Sequence, residues 1–226
     1  MKGTEKTMED SKKNLNDQVF QTLKEMILQG NLKPGEKIIE VELTKTLNVS
    51  RTPIRDALRR LEREGLVILP PSRGAQITKL SKKTIKNLYE CRAALEGLAV
   101  RQAIEHIDVA QMELIEESIL LAEYYYSKGD MEKTVIKNTY FHEQFIEMSN
   151  NKPLIQMMEN IRTQILRYRI LTSTVGFRDN FIIEHKEILE AVKNKEKDTA
   201  EKIIKKHILD DLQNFLQGVQ NSYIDG

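Results

Sequence analysis

The sequence predicts a mainly α chain in two parts: three short helices closed by a β-hairpin, then an all-helical antiparallel bundle. Two patterns predict this. Before residue 80, apolar residues at helical spacing give way to short β-prone runs on either side of Pro70-Pro71-Ser72-Arg73-Gly74. From Ser81 onward there is no strand signal, and successive helical stripes are separated by breaks of only a few residues.

The elements follow in order. Residues 16–30 place Val19, Phe20, Leu23, Met26 and Ile27 on one helical stripe, with Gly30 as the stop. LKPGEKI is a turn around Pro34-Gly35. Residues 40–47 form a short helix with Val41, Leu43 and Leu47 apolar, and Asn48-Val49 is a tight connection. Ser50 caps the next helix, which tolerates Pro53 in its first turn and runs to about Glu64. LVILPPSRGAQITKL supplies two short strands around its turn. Three helices and a hairpin in this order make a winged helix-turn-helix. Six further helices are predicted over about 81–105, 108–128, 131–149, 152–174, 179–194 and 198–218. The expected division is a flexible polar arm (1–13), the winged helix-turn-helix (14–79), the helical domain (80–219) and a tail (220–226).

Composition narrows the function. No run approaches the roughly 18 apolar residues of a membrane span, and MKGTEKTMEDSKKN lacks the apolar core of a signal peptide, so a cytoplasmic location is expected. The single cysteine, Cys91, cannot form an internal disulfide; its helical setting reads as a buried, inert thiol. The net charge of +1 conceals an asymmetry: residues 1–80 hold 15 Lys and Arg against 11 Asp and Glu, and the remainder 20 against 23. A basic front half suits a polyanion.

VSRTPIRDALRRLEREGL (49–66) carries the clearest functional signal. Arg51, Arg55 and Arg59 recur every four residues and form one cationic ridge, backed by Ala57, Leu58 and Leu61. In a helix-turn-helix the N-terminal residues of the second helix meet the bases, which here are Ser50, Arg51, Thr52 and Arg55. Arginine pairs bidentately with guanine, and the hydroxyls and helix amides suit phosphates. Arg73 at the wing tip can reach a minor groove or a phosphate. An isolated RxxxRxxxR would more simply be a solvated helix face; the three-helix-and-hairpin setting favours DNA.

The second half holds all four histidines, three of them on apolar stripes: His142 with Val135 and Phe145, His185 with Ile182 and Ile188, and His207 with Ile203 and Ile204. Asn138 shares a face with His142 at i, i+4. The last two helices should form a hairpin turning near Glu196, with His185 eleven residues before it and His207 eleven after, so the two histidines meet at one level. A single buried histidine is usually a satisfied core residue. Three, with an asparagine beside one, suit a shared divalent transition metal, and imidazole suits zinc, nickel, copper or iron. Neutral ligands would leave the ion its 2+ charge and attract a small carboxylate. His106 reads as a surface residue.

LKPGEKIIEVELTKTLNVSRTPIRDALRRLEREGLV resembles the N-terminal domain of the GntR family of bacterial transcription regulators, and the second half is similar to the helical FCD domain of its FadR-type subgroup. The resemblance covers about residues 16–218. It implies operator contacts through Ser50, Arg51, Thr52 and Arg55, a homodimer on a palindromic double-stranded operator, and control by a small acidic effector. It also implies a metal on Asn138, His142, His185 and His207, matching a metal-binding subset of that family, and an effector-binding role for Arg92. From the residues alone, Arg92 can equally form an i, i+4 salt bridge with Glu96. Val41 stands where FadR has a DNA-contacting arginine, so the half-site sequence does not carry over.

Three readings follow. The first is a metabolite-responsive regulator, a repressor with a fixed metal. The second is a metal sensor in which the ion is the signal. The third is a metal-dependent hydrolase joined to a DNA-binding domain. A hydrolase needs a general base beside the ion, and spacing places no carboxylate there, so no enzymatic activity is expected.

Overall fold

The computed structural model describes residues 2–71, 74–171, 176–218 and 224–225. The chain divides into two compact units: residues 1–85 with 163–173 and 221–226, and residues 86–162 with 174–220.

The first unit begins with α1 (Lys2–Leu28), followed by α2 (Glu40–Thr46), α3 (Arg51–Arg63), β1 (Val67–Ile68) and β2 (Gln76–Ile77). Val19, Phe20, Leu23 and Ile27 of α1 pack with Ile54, Ala57, Leu58 and Leu61 of α3, and Leu66, Val67 and Ile77 close the core. Full burial of each large aliphatic chain contributes about 1.5–3 kcal/mol. Asn48, at φ 51°, makes the short α2–α3 turn, with Val49 N–H donating to the Thr44 carbonyl at 3.1 Å. Gly65, at φ 72°, ends α3. Its N–H reaches the Glu62 carbonyl and that of Leu66 reaches Leu61, the paired bonds of a glycine-terminated helix. β1 and β2 pair antiparallel, Val67 opposite Ile77, as the wing. Arg73, expected at its tip, lies outside the described residues.

Two features differ from expectation. The helix starts at Lys2, so residues 2–13 continue α1 rather than forming an arm; no proline interrupts the stretch up to Leu28. Residues 224–225, assigned to a tail, form β4 (Ile224–Asp225), which pairs in parallel with β3 (Leu80–Ser81). Two-residue strands are too short to show a period in sequence.

The second unit is built on α4 (Lys82–Ala103, from Lys86), α5 (Val109–Ser127), α6 (Met131–Met148), the first part of α7 (Lys152–Leu171), α8 (Phe181–Lys193) and α9 (Lys197–Gly218). Asp108 and Gln111 form a reciprocal capping box at the start of α5, at 2.8 and 3.0 Å. The α8–α9 hairpin turns on Lys195 at φ 59°, with Glu196 N–H donating to the Ala191 carbonyl. Phe141 and Phe145 of α6 and Phe181 of α8 are fully buried. Cys91, expected to be buried, is exposed. It sits on the α4 face with Asn87, Ala94 and Leu98, opposite the buried face of Tyr89, Ala93, Glu96 and Val100. No helix among the described residues is long and apolar enough to cross a membrane.

Candidate functional site

In the first unit α3 divides cleanly. Pro53, Ile54, Ala57, Leu58 and Leu61 are buried, while Arg51, Thr52, Arg55 and Arg59 are exposed. Ser50 occupies the N-cap with extended backbone (φ −71°, ψ 170°), but its side chain makes no capping bond, contrary to the expected cap. Arg55 Nε donates to Glu40 Oε2 at 2.9 Å, which places the first turn of α2 beside the ridge. Arg60 is withdrawn from the ridge: it binds Asp17 at 2.6 Å and covers the Phe20 ring at 3.9 Å. The four residues expected to meet DNA thus stand at one end of a helix held by its apolar back.

In the second unit α6, α8 and α9 bring three histidines together. His142, His185 and His207 are at most 3 % exposed, and one ring nitrogen of each lies within 4.8 Å of the others. His185 Nε2 is 3.2 Å from His207 Nε2, so equal distance from the hairpin turn does align them. His185 stacks on Phe141 with centroids 3.9 Å apart. Asn138, one turn before His142, is buried, and its Oδ1 has no partner; neither do His142 Nε2 and His185 Nδ1. His106 is exposed.

Around the histidines lies a charged shell of which spacing disclosed only the Arg92–Glu96 pair. Glu96 of α4, 1 % exposed, accepts from Arg92 Nε at 2.5 Å and contacts His142 Nδ1 through its other oxygen at 2.6 Å. Glu184 Oε2 lies 2.6 Å from His207 Nδ1. Arg178 donates two bonds to Glu184, a third to Asp211 at 2.9 Å and one to the His207 carbonyl at 3.2 Å. The ions set one another's protonation. Burial alone would raise the Glu96 carboxyl, but Arg92 and His142 outweigh it and hold it at about 2. Burial pushes His142 down to about 4 against the pull of Glu96, and drives His185 well below the ordinary histidine range. Burial opposes ionisation of Glu184 too, but His207 and Arg178 hold it at about 2. At neutral pH the carboxylates are charged and His142 and His185 are neutral, the form in which imidazole ligates metals.

Glu96 was nonetheless legible: it falls on the apolar stripe of α4 with Tyr89, Ala93 and Val100, where an unpaired carboxylate would be costly. Glu184 was not, because adjacency to His185 hides its contact with His207 on the next helix. Arg92 takes part in the ion pair with Glu96 through Nε, the simpler of the two sequence readings.

Residues 15–77 match the family described as "Bacterial regulatory proteins, gntR family", and residues 87–210 match the FCD domain. The chain is 35 % identical to the HTH-type transcriptional regulator YdhC of Bacillus subtilis, over 88 % of this chain and 89 % of that protein. It is 23 % identical to the HTH-type transcriptional repressor RspR of Escherichia coli, over 86 % of each. Among solved structures it is similar to E. coli McbR/YncC, with a TM-score of 0.72 and 25 % identity over 90 % of this chain and 97 % of that one. The hydrolase reading falls, since these relatives are regulators and not enzymes. An exposed arginine ridge on a winged helix-turn-helix, followed by a matching helical domain, makes this chain a DNA-binding transcription regulator of the gntR family with a carboxy-terminal FCD domain.

Proposed function

We propose that the chain is a cytoplasmic, metabolite-responsive repressor that binds a palindromic operator as a homodimer. Ser50, Arg51, Thr52 and Arg55 enter the major groove, and Arg73 touches the duplex from the wing. Asn138, His142, His185 and His207 hold a divalent transition ion, zinc first and nickel second. A small carboxylate binds beside the ion near Arg92, whose Nη groups remain outside its Nε bond to Glu96. The observation that carries this reading is the convergence of three buried imidazoles within 4.8 Å. The residues suit the ion: Asn138 Oδ1 and His142 Nε2 are buried acceptors without protein partners, which is costly unless a ligand takes them up. When bound, the ion supplies a positive charge that attracts an acidic effector.

One observation favours the metal-sensor alternative: Arg92 is already ion-paired, so the centre could respond to the ion alone. Metal-stripped full-length protein, with a palindromic duplex selected by the wild type from a random pool, separates the two. Zinc is titrated first and citrate second, and operator release is followed. Release that needs both supports a metabolite-responsive regulator; release by zinc alone supports a sensor. Failure of the wild type to bind zinc would overturn both.

A further inference from the structure

Two of the three histidines are buttressed alike. Arg92 Nε, Glu96 and His142 Nδ1 form one chain of contacts, at 2.5 and 2.6 Å. Arg178, Glu184 and His207 Nδ1 form another, with contacts of 2.7 Å from Arg178 Nη1 to Glu184 Oε1 and 2.6 Å from Glu184 Oε2 to His207. His185 has no such chain: its Nδ1 is buried without a partner, and its ring is held by stacking on Phe141.

We propose that Glu96 and Glu184 are positioning residues that fix His142 and His207 as Nδ1–H tautomers and so aim their Nε2 lone pairs at the centre, while His185 has no carboxylate to do the same. This inference rests on the metal reading above. An ionised carboxylate only accepts hydrogen bonds, so a neutral imidazole touching it through Nδ1 carries its single proton there. Nε2 is then a bare lone pair, as a metal ligand requires. His142 Nε2 has no hydrogen-bond partner, so no protein donor competes for its lone pair. Arg178 also lies 3.3 Å from His207 Nδ1, but Glu184 is nearer and is the only acceptor of the two. Asp211 Oδ2 lies 3.8 Å from His207 Nε2, beyond hydrogen-bond distance, so the 2.6 Å contact with Glu184 decides where the proton sits.

His185 differs. His185 Nε2 lies 3.2 Å from His207 Nε2, and with the His207 proton on Nδ1 only His185 can donate in this contact, which puts the His185 proton on Nε2. Ligation through that nitrogen requires the proton to leave Nε2 and one to arrive at Nδ1, with no change in net charge. His185 is therefore the one ligand that exchanges tautomers on loading.

Imidazole nitrogen chemical shifts, measured by NMR on full-length protein with and without zinc, test this directly. The expected result is Nδ1–H for His142 and His207 in both preparations, and a switch from Nε2–H to Nδ1–H for His185 alone. An Nε2–H signature for His142 or His207 would overturn the proposal, even if the wild type bound no zinc and the metal reading fell separately. In parallel, zinc affinity is measured by chelator competition for Glu96→Gln and Glu184→Gln, with the partly exposed Glu143→Gln as control. Glutamine can present its NH2 to Nδ1 and favour the wrong tautomer, so zinc affinity should fall about 10–100-fold in each buttress variant and stay unchanged in the control. Unchanged affinity in both buttress variants would overturn the proposal while leaving the metal reading intact. If Glu96→Gln fails to fold, Glu184→Gln and the wild-type tautomers decide the matter.

Discussion

In the amino-terminal unit Arg51, Arg55 and Arg59 stand in solvent on a single helix; in the helical unit Asn138, His142, His185 and His207 are buried on three. The difference is one of solvation. An exposed guanidinium keeps its water until a phosphate or a base replaces it, so the ridge needs no partner within the chain beyond the Arg55–Glu40 pair. A buried imidazole has already lost its water, and the fold must provide for it. The helical unit does so with Glu96, Glu184, Arg92 and Arg178, which pair with one another and with the histidines. Under the proposed function, one unit recognises by an outward charge pattern and the other by an inward set of donors and acceptors.

The most severe way to break this comparison is to remove an inward ligand. His207→Ala should reduce bound zinc from about one equivalent per chain to background by elemental analysis, while non-specific DNA binding by the same preparation is retained. Loss of both together would mean that the two regions are not separable in function. An outward residue should cost less. Arg51→Ala should weaken operator binding about 10–100-fold in gel shifts, corresponding to about 1–3 kcal/mol for one bidentate base contact, with a smaller change on non-specific duplex. Equal losses on both duplexes would reassign Arg51 to the phosphate backbone.

A pH series sharpens the contrast. His142 is depressed to about 4, His185 is also depressed, and Glu96 is held at about 2, each below its ordinary value. The unfolded chain therefore binds more protons than the folded one, from the ordinary histidine range near 6.5 down through the carboxylate range. The sign follows: stability contributed by these groups is present above pH 6.5 and is lost progressively as pH falls. The amino-terminal unit contains no histidine. Between about pH 7 and 5 the metal-stripped protein should lose thermal stability in the helical unit first, seen as two separating transitions in circular dichroism. Parallel loss in both units would contradict the assignment of buried neutral histidines.

The smallest effect concerns Glu40. Its exposed pair with Arg55 is worth about 0–1 kcal/mol in the free protein, so Glu40→Gln should raise operator affinity by no more than about fivefold. A fall in the same gel shift would instead make Glu40 the group that aims Arg55.

The same contrast explains what could be read without coordinates. The ridge is local: Arg51, Arg55 and Arg59 depend only on the helical period, which needs no tertiary knowledge. The meeting of His185 and His207 needed one topological assumption, an antiparallel hairpin, and the 3.2 Å contact agrees with it. Glu184 lies beyond that reach, because its contact with His207 depends on side-chain direction across two helices. Arg178 lies outside any periodic helix, in the connection before α8, where no stripe marks it. The exposure of Cys91 is not legible in sequence, because Ala94 and Leu98 share its exposed face of α4 and apolar character there does not mark the inside. The helical start at Lys2 and the short β3–β4 pair leave no strong pattern, since charged helix formers and two-residue strands are both permissive.

The central claim is that the buried histidines form a metal centre belonging to the regulator. The most direct measurement is zinc stoichiometry by elemental analysis of metal-stripped, zinc-reloaded wild type beside His185→Ala, with both confirmed folded. The account predicts about one equivalent in the wild type and background in the variant; equal metal in both, or none in the wild type, would contradict it.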